Sequence, residues 1–131
     1  REVLFLDADN NAARDPAYLF RDATYRRAGG LFWHDYWGLR AEKVRPLQQL
    51  LGPEALAALG NVTFESGQML LHKETAWRQL LLGVHFNLNK KAYFRMVSGI
   101  GDGDKDLLPL AFAALGGSVP QVAALPGSVG E

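Results

Sequence analysis

Residues 3–10 read Val3-Leu4-Phe5-Leu6-Asp7-Ala8-Asp9-Asn10, and the fold class turns on how they are read. Four apolar residues run straight into two acids separated by one alanine. The apolar run predicts a short interior strand. Side chains alternate along a strand, so an extended reading points Asp7 and Asp9 the same way. Two carboxylates that close repel each other, and a cation between them relieves the repulsion. Ligands of open α/β sheets sit at the carboxyl ends of strands, which is where this pair lies. Mg²⁺ or Mn²⁺, bridging to phosphate oxygens, is the natural occupant. A plain strand-to-turn junction, where Asp and Asn are common, accounts for the same residues.

Outward from this stretch, strands alternate with helices. Asp15-Pro16 predicts a helix start, as N-cap and first helical residue. That short helix carries Tyr18, Leu19 and Phe20 and fades before Gly29-Gly30. Leu31-Phe32-Trp33 predicts a second strand. Residues 46–51 and 53–59 predict two short helices, the second opened by Pro53-Glu54 and stopped by Gly60. Val62-Thr63-Phe64 predicts a third strand, interrupted at Ser66-Gly67 and resumed at Met69-Leu70-Leu71. A glycine at such a place signals a bulge or a close approach by a ligand. From Glu74 to about Asn87, Trp77, Leu80, Leu81, Val84 and Leu88 recur at helical spacing. Asp104 to Leu115 predicts a helix ending at Gly116-Gly117, and Val119 to Leu125 a last strand. The class is α/β.

The chain has 131 residues, 48% of them hydrophobic and 21% charged, which suits a globular domain with a real core. Fourteen basic and fourteen acidic residues cancel, so no basic field argues for nucleic acid or an anionic membrane. With no cysteine, a disulfide framework and a thiolate metal site are excluded. No apolar run is long enough to span a bilayer. Residue 1 is Arg, and Met69 and Met96 are the methionines. A chain that opens almost directly on a core strand is expected to be a single partial domain, residues 1–131, truncated at both ends.

Four polar clusters fall at element junctions: Asp7/Asp9, Trp33 to Trp37, Glu65 to Gln68, and Asp102 to Asp106. Trp33-His34-Asp35-Tyr36-Trp37 packs aromatics around one acid. That mixture suits a sugar, whose CH faces stack and whose hydroxyls hydrogen-bond, and it equally suits a core edge beside a solvated Asp35. Glu65-Ser66-Gly67-Gln68 offers hydrogen-bonding groups beside a backbone that Gly67 makes accessible; a bulged strand with polar outward positions explains it as well. Gly101-Asp102-Gly103-Asp104-Lys105-Asp106 places acids at alternating positions before a helix. A calcium EF-hand needs glutamate at its twelfth position, which here is Ala113. Asp104 or Asp106 as a helix N-cap is compatible with any function.

Taken in order, FLDADN…RDP-x-YLF, GLFWHDYW, ESGQMLLHK and YF…GDKD…LAFAAL closely resemble the fungal-type Golgi α-mannosyltransferases of glycosyltransferase family 71, over about Val3 to Gly130. The resemblance implies a fragment of a GT-A nucleotide-sugar transferase fold, with a mixed sheet flanked by helices. It implies that Asp7-Ala8-Asp9 is a DXD motif holding Mn²⁺ (or Mg²⁺) against the diphosphate of GDP-mannose. Transfer would retain the anomeric configuration and place an α-linked mannose on an oligosaccharide or glycoprotein glycan. Ser66, Gly67, Gln68 and Lys105 would then contact the donor, and Asp104 would be the catalytic carboxylate facing the sugar. Trp33, Asp35, Tyr36 and Trp37 would touch acceptor or sugar. Members are usually type II membrane proteins of the Golgi lumen, whose anchor and first nucleotide-binding half would precede Arg1. Two departures stand out. His34 takes the place of a usual proline. An extra Gly101-Asp102 precedes Gly103-Asp104-Lys105, which leaves Asp102 and Asp106 as competitors of Asp104.

The chemistry agrees with the resemblance, since a divalent ion at Asp7/Asp9 would stabilise a leaving diphosphate. Asparagine and serine donors nearby could bind sugar or phosphate. A haloacid-dehalogenase-like phosphatase is the alternative, with Asp7 as nucleophile and GDGDKD as metal loop. Against it, Asn11 stands where that family wants threonine or valine, and the Trp33 and Glu65 clusters would have no role. A non-catalytic fragment is the third reading.

Overall fold

The structure, a computed structural model, describes residues 1–89, 93 and 106–126. Three strands form its sheet: β1 (Glu2–Leu6), β2 (Gly30–His34) and β3 (Phe64–His72). β3 lies in the middle and runs antiparallel to both neighbours. β1 and β2 therefore point the same way along its two flanks. A 3-10 helix (Pro16–Arg21) and α1 (Ala23–Ala28) join β1 to β2. The helices α2 (Ala41–Leu51) and α3 (Pro53–Leu59) join β2 to β3, and α4 (Trp77–Leu88) and α5 (Leu107–Ala114) follow.

Strand alternation sorts the apolar residues onto two faces. Leu4 and Leu31 sit opposite Leu70 and pack with Tyr25, Leu19 and Phe20 from the 3-10 helix and α1. Phe32 and Met69, on the other face, join Leu47, Leu59, Phe86 and Leu110 from the remaining helices. Phe32 is fully buried and meets Phe64 and Phe112 edge-on, at ring separations of 6.1 and 5.3 Å. Burying each such ring contributes roughly 1.5–3 kcal/mol. The α/β class follows from this layering, a sheet with helices on both faces.

Several expectations are corrected. β1 is an edge strand, with Phe5 and Leu6 exposed, because β3 rather than β1 takes the centre. The expected mixed sheet has three antiparallel strands, and its last strand shrinks to a parallel bridge between Phe32 and Gln121. In that bridge the Phe32 N–H donates to the Pro120 carbonyl and the Val122 N–H to the Phe32 carbonyl, both at 2.9 Å. Pro120 has no N–H with which to carry the ladder back toward Gly30. The helix from Asp15 breaks in two at Asp22, whose extended backbone lets its carboxylate accept from the Tyr25 N–H at 3.0 Å and cap α1. The helix expected from residue 46 begins at Ala41, so Pro46 lies inside it.

α4 forms where expected, yet its apolar stripe faces outward. Leu81 is 59% and Leu88 80% exposed, and Trp77 and Val84 are exposed too. The buried residues are Ala76, Gly83 and Phe86. A Cβ on Gly83 would stand 3.1 Å from Leu108 of α5, so small residues let the two helices approach. Periodicity finds the helix but does not say which face of a largely apolar helix is covered.

At the start of α5, Asp106 is buried, as the helix-start residue the sequence suggested. Its carboxylate does not cap α5. It accepts from the Phe64 N–H at 2.8 Å, which ties the start of α5 to the start of β3.

Tyr25 sits at the other end of the sheet, 1% exposed, and its hydroxyl donates to the Glu2 carboxylate at 3.1 Å. Burial first, then the hydrogen bond and the charge of Glu2, pushes its pKa up to about 12. The folded state thus favours the neutral phenol. That stability is complete below the ordinary tyrosine pKa near 10 and is lost as pH rises through about 12. Thermal melts across this window should show the loss in the wild type and a weaker loss in Tyr25→Phe. Identical profiles would contradict the assignment.

Candidate functional site

The topology gathers three of the four polar clusters at one end of the sheet. β1 and β2 end where β3 begins, so Asp7/Asp9, Trp33 to Trp37 and Glu65 to Gln68 share that edge. The Asp106–Phe64 hydrogen bond brings the end of the fourth cluster there as well. Asp102, Asp104 and Lys105 lie outside the described residues.

Beyond Leu6 the chain turns. The Asn10 N–H donates to the Asp7 carbonyl at 3.0 Å, and the Ala8 N–H to the Asp7 carboxylate at 2.9 Å. Strand alternation therefore stops before the acids, and a β-turn rather than an extended segment presents Asp7 and Asp9. Both are exposed. Among the described residues no cationic group lies within ion-pair distance of either.

The turn is docked on Gly67. The Gly67 carbonyl accepts from the Asp7 N–H at 2.8 Å and from the Asn10 side-chain amide. A Cβ on Gly67 would fall 2.7 Å from that amide nitrogen, so the group that comes close to this glycine is Asn10, where a ligand was expected. Asn10, expected among donors to sugar or phosphate, thus spends its N–H on the protein. Glu65 folds back in the same way, accepting from the Ser66 and Gly67 N–H groups at 2.9 and 3.0 Å. The expected bulge is here too. Phe32 pairs with Met69 but Trp33 with Glu65, so Ser66, Gly67 and Gln68 have no partner on β2.

Two sides of the sheet end differ in chemistry. Asp7 and Ser66 open on a cavity of about 420 Å³ walled by Phe5, Met69, Leu80 and Val84. Its lining is largely apolar. On the opposite side, Trp33, Asp35, Tyr36, Glu65 and Gln68 line a cavity of about 430 Å³. The structure thus joins predicted acceptor residues to Gln68. Trp37 is outside that lining, 70% exposed, with Tyr36 edge-on to it at 5.6 Å. The Asp35 carboxylate accepts from the Tyr36 N–H at 2.7 Å and lies 3.4 Å from the hydroxyl of buried Thr63. His34 stacks on Phe64 at 5.9 Å and is a packing residue.

A third cavity, about 400 Å³, adjoins the second and is lined by Asn11, Arg14, Tyr18, Trp33 and Gln68. The guanidinium of Arg14 stacks over Tyr18, 3.9 Å from its ring centre. Sequence reading placed Arg14 and Tyr18 in the RDP-x-YLF motif, and Tyr18 on the short helix, but gave neither a part in the site. The available signal was the four-residue spacing of Arg14 and Tyr18 across a Pro-started, Asp-capped turn.

Asp7 and Asp9 fit a hard divalent ion. Mg²⁺ and Mn²⁺ take oxygen ligands, and Mg²⁺ commonly takes only one or two carboxylates, the rest of the shell being water and substrate phosphate. Among the described residues no third His, Cys, Asp or Glu joins them.

The mannosyltransferase family model matches residues 1–49 and 54–131. The chain is similar to α-1,2-mannosyltransferase MNN21 of Candida albicans, with 29% identity over 98% of this chain and 25% of that protein. It is similar to α-1,2-mannosyltransferase MNN22 of the same organism, with 27% identity over 94% of this chain and 27% of that protein. The chain thus spans about a quarter of the length of these curated relatives. No solved structure matches it. Near-complete coverage by the family model, over the motifs gathered at one sheet end, places the chain in the fungal-type mannosyltransferase family.

Proposed function

We propose that this chain is part of the catalytic domain of a metal-dependent α-mannosyltransferase of GT-A type. It moves mannose from GDP-mannose to a glycan acceptor with retention at the anomeric carbon, and the named relatives add an α-1,2 linkage. The observation that carries this reading is the meeting of the Asp7–Asn10 turn, the Ser66–Gln68 segment and the Trp33–Trp37 cluster at one end of the sheet. Family membership leaves the phosphatase alternative without support.

The roles follow from the side chains. Asp7 and Asp9 would hold Mn²⁺ or Mg²⁺, which when bound supplies Lewis-acid charge to the leaving diphosphate. The Ser66 hydroxyl hydrogen-bonds the donor and Lys105 adds positive charge. Gly67, whose N–H and carbonyl are held by Glu65 and the acidic turn, shapes the donor side, and Gln68, on the side of Trp33, turns to the acceptor. Asp104 holds a mannose hydroxyl or steadies positive charge developing at the anomeric carbon. Trp33, Tyr36 and Trp37 offer ring faces to sugar CH groups, and Asp35 accepts from hydroxyls. Among the described residues no helix is long and apolar enough to cross a membrane. A Golgi-lumenal, type II arrangement is part of the proposal, with its anchor outside this chain.

Metal removal and single substitutions test the reading in the full-length protein. Asp9→Asn should abolish Mn²⁺-dependent transfer from GDP-mannose, as should EDTA on the wild type; full activity under either treatment contradicts the metal role. Asp104→Asn should lower kcat by about a hundredfold with GDP affinity nearly unchanged, as loss of a group acting in the transition state does. Asp106→Asn, at a buried carboxylate that holds the Phe64 N–H, should chiefly lower Tm. A catalytic defect confined to Asp102→Asn reassigns the sugar-facing acid.

A further inference from the structure

Two of the three cavities share a wall. The cavity beside Asp35 and the one beside Arg14 are both lined by Trp33 and Gln68. We propose that the cavity formed by Asn11, Arg14 and Tyr18 is a second acceptor subsite, so that the acceptor is an oligosaccharide of at least two rings laid across Trp33. The proposal rests on the transferase reading and extends it to the size of the acceptor.

Each cavity, at about 400 and 430 Å³, falls within the range of small-molecule sites. The chemistry of the Arg14 cavity is that of a neutral polyol site. Its lining contains no carboxylate. Planar hydrogen-bonding groups from Asn11, Arg14 and Gln68 stand around apolar surface from Leu4 and Leu6. A hexose offers the complementary pattern, hydroxyls at its rim and CH groups on its faces.

Arg14 is prepared for this role. Among the described residues no carboxylate lies within ion-pair distance of it. The stack on Tyr18 holds the guanidinium plane and leaves its edge N–H groups for a ligand. Tyr18 is 48% exposed, so this ring is not spent on the core. Between the two, the Asp15 carboxylate accepts from the Ala17 N–H at 3.0 Å and Pro16 fixes the first turn. A pair ordered in advance loses less freedom on binding.

A diphosphate is the other partner an arginine invites. The placement argues against it. Asp7, the proposed metal ligand, opens into the cavity on the opposite side of the sheet, while Arg14 lines the side shared with Trp33.

The test compares α-mannosides of one and three rings as acceptors for the full-length protein. The wild type should use the three-ring acceptor with the higher kcat/KM. Arg14→Ala combined with Tyr18→Ala should erase about tenfold of that preference, the size of one lost polar or stacking contact. The one-ring acceptor and the KM for GDP-mannose should be unaffected, and Tm should be kept because both residues are exposed. An equal loss on both acceptors, or a rise confined to the donor KM, overturns the subsite. Calorimetry with the three-ring mannoside, in the presence of GDP and Mn²⁺, reads the groove apart from turnover. Binding to the wild type and not to the double variant supports the groove even where no mannose is transferred, and then the transferase reading alone fails. No binding to the wild type overturns the groove.

Discussion

One backbone carbonyl holds the arrangement together. The oxygen of Gly67 accepts from the Asp7 N–H and from the Asn10 side chain. It thereby fixes both ends of the turn that presents Asp7 and Asp9. The docking works because Gly67 has no side chain, since a Cβ would press on the Asn10 amide. The Asp7–Gly67 bond extends the β1–β3 ladder one step past Leu6 and Gln68, while Ser66 to Gln68 are unpaired on the β2 side. Glu65 completes the docking by accepting the N–H groups of Ser66 and Gly67. A local irregularity in the central strand thus positions a motif more than fifty residues away in sequence.

The same irregularity divides the sheet end into two sides. Ser66 and Asp7 open toward α4 and α5, whereas Gln68 turns to the side of Trp33. In a regular strand Ser66 and Gln68, two residues apart, would share a face, so the split comes from the irregular register at this point. On the proposed reading, donor residues at the acidic turn and acceptor residues along the Trp33 groove would be adjacent without sharing a cavity. A transfer reaction needs two ligands side by side, with their reacting atoms brought together and water kept away. The two cavities on either side of β3 are compatible with that need.

Much of this was legible in the residues, and the failures have definable causes. β2 came through because it is an apolar run after a glycine, and the second half of β3 because of Met69-Leu70-Leu71. Val62 and Thr63, expected in that strand, precede it, and the strand runs unbroken through Ser66-Gly67. Gly67 announced the bulge, while the space expected for a ligand is taken by Asn10. The edge position of β1 was hidden, since Leu4, Phe5 and Leu6 read alike whether one face or two are covered. The orientation of α4 was hidden because Ala76 and Gly83 pack where large residues were expected to. The presentation of Asp7 and Asp9 was hidden most deeply. Alternation extrapolated from Val3 to Leu6 says nothing of a turn whose anchor lies in another strand. The Arg14–Tyr18 pair escaped because its meaning depends on Trp33 and Gln68, which only the folded sheet brings to it.

Mn²⁺ affinity of the full-length protein, read by electron paramagnetic resonance in the presence of GDP, is the most direct measurement. If docking on Gly67 positions the two acids, Gly67→Ala and Asn10→Ala should each weaken Mn²⁺ binding by about tenfold, the scale of one disrupted hydrogen bond. Neither change touches a carboxylate, and Asn10→Ala leaves the backbone of β3 intact. Wild-type affinity in both variants would contradict the claim that this contact builds the site.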